Sequence, residues 1–79
     1  MTTSGGALLP DWFLDLLSKA SPPVREGFSA RSREKQGLYV AELRDYREVL
    51  RENLGLGAAE VESALQRELA AYIKEDRYH

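Results

Sequence analysis

"LYVAELRDYREVLRENLGLGAAEVESALQRELAAYIK", residues 38–74, decides the fold. Tyr39, Leu43, Tyr46, Leu50 and Leu54 recur at spacings of four, three, four and four, which puts them on one stripe of an α-helix. Leu38 and Val49 widen that stripe on one side and Val40 on the other. The triplet Gly55-Leu56-Gly57 comes next, one glycine placed to stop a helix and the other to start a new one. A second stripe then runs through Ala58, Val61, Leu65, Leu69, Tyr72 and Ile73. Ala64, Ala70 and Ala71 add helix propensity between them. Two amphipathic helices on so short a link must bury their stripes against each other. The expectation is an antiparallel hairpin of residues 38–54 and 58–75.

Outward from the hairpin, "LLPDWFLDLLSKA", residues 8–20, packs seven large apolar side chains into thirteen positions. Pro10 suits a first helical position and Asp11 the positive end of the helix dipole. On a 100° wheel Leu9, Phe13, Leu16, Leu17 and Ala20 share one face, while Asp11, Asp15 and Ser18 share the other. The "SPP" of 21–23 ends the segment, because a residue before proline avoids the helical region. A helix over about 9–20, laid on the hairpin, completes a small all-α helical bundle. Residues 24–37 are open between a short helix, supported by the i,i+4 pair Val24 and Phe28, and an irregular connection. Residues 1–7 are expected to be a disordered leader and 77–79 a frayed tail, leaving 8–76 as one helical domain.

A packed helix needs an apolar arc somewhat over 100° wide. Trp12 and Leu14 flank the arc of this N-terminal helix and extend it towards two-thirds of the circumference, more than a two-helix hairpin can cover. Either the connector covers the rest, or another chain does. The second alternative is the expectation, with Trp12, Phe13, Leu14, Leu16 and Leu17 as the partner-binding residues, since tryptophan is the residue most enriched at interface hot spots. Residues 10–17, "PDWFLDLL", resemble a segment of the NepR-type anti-sigma factors, small helical proteins that bind a sigma factor. The likeness covers these eight residues, and in that family the segment lies late in the chain. The resemblance implies a partner-binding helix.

Composition narrows the rest. Seventy-nine residues bury only about 60% of their unfolded surface, so stability is marginal without reinforcement. There is no cysteine, so disulfides and thiolate zinc sites are excluded, and the single histidine, His79, makes no metal site. Oligomerisation or a partner remains, whether as a homo-oligomer or within a larger heteromeric complex. A net charge of −2 argues against a generally basic nucleic-acid binder. No apolar run approaches the roughly 20 residues of a membrane span. "MTTSGG" lacks the basic region of a secretory signal, so the expected compartment is the cytoplasm.

Residues 47–66, "REVLRENLGLGAAEVESALQ", carry the apolar skeleton of a helix-turn-helix unit at Leu50, Leu54, Gly55, Leu56, Val61 and Ala64. Arg51 stands where that unit needs a small residue. The would-be recognition face, Ala58, Ala59, Glu62, Ser63 and Arg67 with Glu60 beside it, aims carboxylates at a polyanion. A plain turn between antiparallel helices is the expectation. Arg31, Arg33, Arg44, Arg47 and Arg51 form a possible contact for an anion or an acidic partner, although pairing of Arg44 with Glu48 and of Glu48 with Arg51 would neutralise much of it. No glycine-rich phosphate loop, usable histidine or nucleophilic cysteine is present, and no cofactor is implied. The sequence therefore points to a small non-catalytic protein–protein interaction module, a self-associating adaptor or a regulatory subunit. A dimeric helix-turn-helix regulator and an accessory subunit of an enzyme complex are the alternatives.

Overall fold

The computed structural model describes residues 9–76, so the expected leader at 1–7 and tail at 77–79 lie outside the described residues. Four α-helices form a small all-α bundle: α1 (Asp11–Ser18), α2 (Pro22–Ala30), α3 (Arg33–Glu48) and α4 (Ala58–Glu75). A π-helical turn, Val49–Asn53, extends α3. No strand occurs among the described residues.

The N-terminal helix is shorter than its apolar pattern. Pro10 is its cap, in an extended conformation, and its carbonyl accepts from the Phe13 and Leu14 N–H groups. Ser21 is also extended, as the residue before a proline must be, and Pro22 and Pro23 then occupy the first two positions of α2. The same dipeptide thus ends one helix and starts the next. Arg25 of α2 reaches back to donate to the Ser18 and Ala20 carbonyls, at 3.2 and 2.9 Å, and satisfies the exposed end of α1.

Residues 24–37 are helical at both ends rather than a single connector. Ser32 caps α3, its hydroxyl accepting from the Lys35 N–H at 3.3 Å, so α3 begins five residues before the apolar stripe does. Capping chemistry sets that start, and the hydrophobic period at 38 was too late a marker. Gln36 ties the α2–α3 corner by donating to the Phe28 and Arg31 carbonyls. Gly27 lets α2 lie against α4, since a β-carbon there would overlap the Ile73 γ2 methyl group. Ile73 is β-branched and stiff, so it has little room to yield.

The hairpin is present. Tyr39 near the start of α3 packs on Tyr72 near the end of α4, ring centroids 5.7 Å apart, and Leu50, Leu56 and Ala64 come together at the opposite end. Gly55 has φ +65, the left-handed conformation of a glycine stop. Gly57 caps α4, its N–H donating to the Glu60 side chain at 3.2 Å. Leu54 breaks the expected stripe and is 62% exposed. The Leu54 N–H bonds to the Val49 carbonyl, five residues back, and this wider turn takes up an extra residue and rotates the next positions out of register. Leu56, whose N–H bonds to the Leu50 carbonyl, packs against the core beyond the turn. On the first arm, Val40 is packed while Leu38 and Val49 are exposed.

Two leucines four residues apart should therefore respond differently to truncation. Leu50→Ala should cost about 2–5 kcal/mol, since Leu50 is buried, whereas Leu54→Ala should stay within about 0.5 kcal/mol of the parent. Urea unfolding read by circular dichroism measures both. Equal losses would mean that the stripe continues unbroken and the π turn is not populated.

One row of aromatic rings crosses the core and joins all four helices. Trp12 meets Phe13 edge-on at 5.8 Å, Phe13 meets Phe28 at 5.0 Å, Phe28 meets Tyr39 at 6.2 Å, and Tyr39 meets Tyr72. Leu16, Leu43, Leu65 and Leu69 fill the space around the row.

Candidate functional site

The five residues expected to bind a partner divide by burial. Phe13 is fully buried and Leu16 nearly so, so both are core residues and not a free surface; Phe28 of α2 covers the back of α1. This is the correction the structure makes. The sequence left open whether the connector or another chain covers α1; α2 of the connector covers Phe13, while Leu14 and part of Trp12 stay uncovered. Leu17 is half-buried and packed on the core, and Leu14 is 47% exposed on the outer face. Trp12 is half-buried at the edge of the aromatic row.

Trp12 faces a cleft of about 460 Å³ between α1, the π turn and the first turns of α4. Buried Leu16, Val61 and Leu65 form its floor, with Leu56 beside them. Asp15 and Glu62 stand on one rim, and Arg47 and Arg51 on the other. Arg47 and Arg51 are four residues apart, on successive turns, which brings both to the Val40 flank of α3. The Arg47 guanidinium lies 5.1 Å from the centre of the Trp12 ring, a cation–π contact of about 0.5–1 kcal/mol where solvent reaches it.

The carboxylates of the rim are engaged. Lys19 bridges Asp15 at 3.2 Å and Glu62 at 3.3 Å, joining α1 to α4. Its hydrogen bonds, to Asp15 first and then to Glu62, hold the Lys19 ammonium above the ordinary lysine pKa. Gln66 fixes the same junction from below by donating to the Leu16 carbonyl at 2.7 Å.

The basic residues separate as well. Arg31 is not an anion contact: it donates to the Gly27 carbonyl at 2.9 Å and the Ile73 carbonyl at 3.0 Å, and pairs with Asp76 at 3.0 Å. It clamps the end of α4 to α2. Arg44 pairs with its neighbour Asp45 at 3.4 Å rather than with Glu48, and Arg33 is exposed at the start of α3. Only Arg47 and Arg51 gather at a cleft. On α4, Ala58, Ala59, Glu60, Ser63 and Arg67 are exposed, a surface with one cation beside a carboxylate.

Among the described residues no group of three or more His, Cys, Asp or Glu side chains is placed to hold a metal ion, and no helix is long and apolar enough to cross a membrane. The chain matches no protein-family model, and comparison with curated proteins and with solved structures finds none similar. The likeness of residues 10–17 to anti-sigma factors therefore stands on those eight residues.

The cleft was only half legible in the sequence. Trp12 stood out there, and so did Arg47 and Arg51, but as separate features whose spacing did not join them. Val61 lies on a hairpin stripe and Leu56 in the link between the arms, and a residue shared between core and cleft carries no separate periodic signal.

Proposed function

We propose that the chain is a small non-catalytic protein–protein interaction module of the cytoplasm that engages its partner at the α1 cleft. One observation carries this reading: Trp12, Arg47 and Arg51 converge over an apolar floor at an open groove. Tryptophan and arginine are the side chains that most often anchor interfaces, and a small apolar cleft is where such anchors work. The anchor at the cleft is Trp12, the cleft floor serving as the receiving surface, and Leu14 extends the apolar surface on the opposite, outer flank of α1. The partner is a second copy or a larger protein.

The test uses a photo-crosslinking amino acid in place of Leu14, in the cells that make the protein. A discrete adduct is expected, to the same chain or to one other protein, and Trp12→Asp should abolish it while leaving most of the helical circular dichroism. Light scattering over a range of concentrations distinguishes self-association from a different partner. A chain that stays monomeric and yields no adduct overturns the reading.

A further inference from the structure

We infer that the α1 cleft takes an acidic amphipathic peptide segment, seating apolar side chains on the Leu16–Val61–Leu65 floor and carboxylates against Arg47 and Arg51; this rests on the proposed interaction role. Charge complementarity selects such a ligand. At the rim, Asp15 and Glu62 already share Lys19, whereas neither Arg47 nor Arg51 meets a carboxylate within 4.0 Å among the described residues. Counting the rim with Lys19, three cations face two anions, a net of +1. The two cations without a carboxylate partner are guanidinium groups, whose fork geometry suits a carboxylate better than an ammonium does.

The size of the cleft agrees. A volume of about 460 Å³ is of the order of a small-ligand pocket, which typically holds roughly 300–1,000 Å³, and so receives a few side chains of a helix or strand rather than a flat protein face. Single-stranded nucleic acid also seeks arginine beside an aromatic ring, but it needs a run of stacking platforms along a cationic groove. Here there is one ring, an apolar floor and a rim of carboxylates.

Trp12 is the only tryptophan of the chain, so its fluorescence reports on the cleft directly. The experiment titrates the isolated protein with three short helical peptides that share one leucine stripe and carry glutamate, glutamine or lysine at the remaining positions. The glutamate peptide should give a saturable change in emission and bind about tenfold more tightly than the glutamine peptide, with the difference shrinking as salt is raised. Arg51→Glu, at an exposed position, should leave the circular dichroism unchanged and reverse the order in favour of the lysine peptide. Equal binding of all three overturns the charge assignment while leaving the interaction role standing. Binding of none, where the Leu14 crosslink still forms, overturns the cleft as the docking site. Displacement of the glutamate peptide by a single-stranded oligonucleotide overturns the choice of a peptide.

Discussion

Phe13→Ala should lower the unfolding free energy by about 3–5 kcal/mol, the range for truncating a buried phenylalanine. A chain of this length has a total stability of roughly 4–12 kcal/mol, so the variant loses a large share of it and should melt well below the parent. The loss has two parts. The ring leaves water entirely on folding, and it holds Trp12 edge-on and Phe28 at 5.0 Å, so its removal opens a cavity between α1 and α2. Urea denaturation read by circular dichroism measures the change. A variant of parental stability that has lost its partner would mean instead that Phe13 belongs to the interface, and that α1 is rotated about its axis to present that ring outward.

Phe28→Ala should have an effect of the same size, about 3–5 kcal/mol. Phe28 is the one buried residue of α2 and sits between Phe13 and Tyr39. Without it α2 has little to bury, since Val24 is only partly covered. The helix would then be retained mainly by the Arg31 clamp and the Gln36 bonds, and partly buried hydrogen bonds of that kind contribute about 1 kcal/mol each. The Phe13 and Phe28 substitutions touch the same rings, so they should not be additive. A double-mutant cycle should show a coupling of about 0.5–1.5 kcal/mol, the extra attraction of an aromatic pair. Strict additivity would mean that the two rings do not meet. A small loss for Phe28→Ala alone would mean that α2 is not part of the core.

These two residues also mark the boundary between what a linear pattern carries and what it does not. The hairpin arms were legible because each turn of a helix buried on one side must repeat its apolar residues every three or four positions. Tyr39, Leu43, Leu50, Val61, Leu65, Leu69 and Tyr72 obey that rule and are buried. The glycine at 55 was legible because a left-handed stop leaves few other residues able to serve, whereas Gly57 caps α4 in an extended conformation open to most residues. Leu54 obeyed the same period and is exposed, since a π turn changes the register through backbone hydrogen bonds that no side-chain spacing announces.

The sequence by itself determined that the chain is helical, where the long hairpin turns, that prolines 22 and 23 end α1, and that α1 carries more apolar surface than a hairpin can cover. Only the tertiary structure decided which part of it is covered, and by what: Phe13 is covered and Leu14 is not. Periodicity shows that a side chain is to be buried, not against what, and the partner of Phe13 proved to be Phe28, on a helix whose short, glycine-containing sequence left its existence open. The same limit applies to the cleft. Trp12, Arg47, Arg51 and Leu56 come from three segments, and they meet because the packing of α1 across α4 fixes their distances, which depend on contacts far apart in the chain.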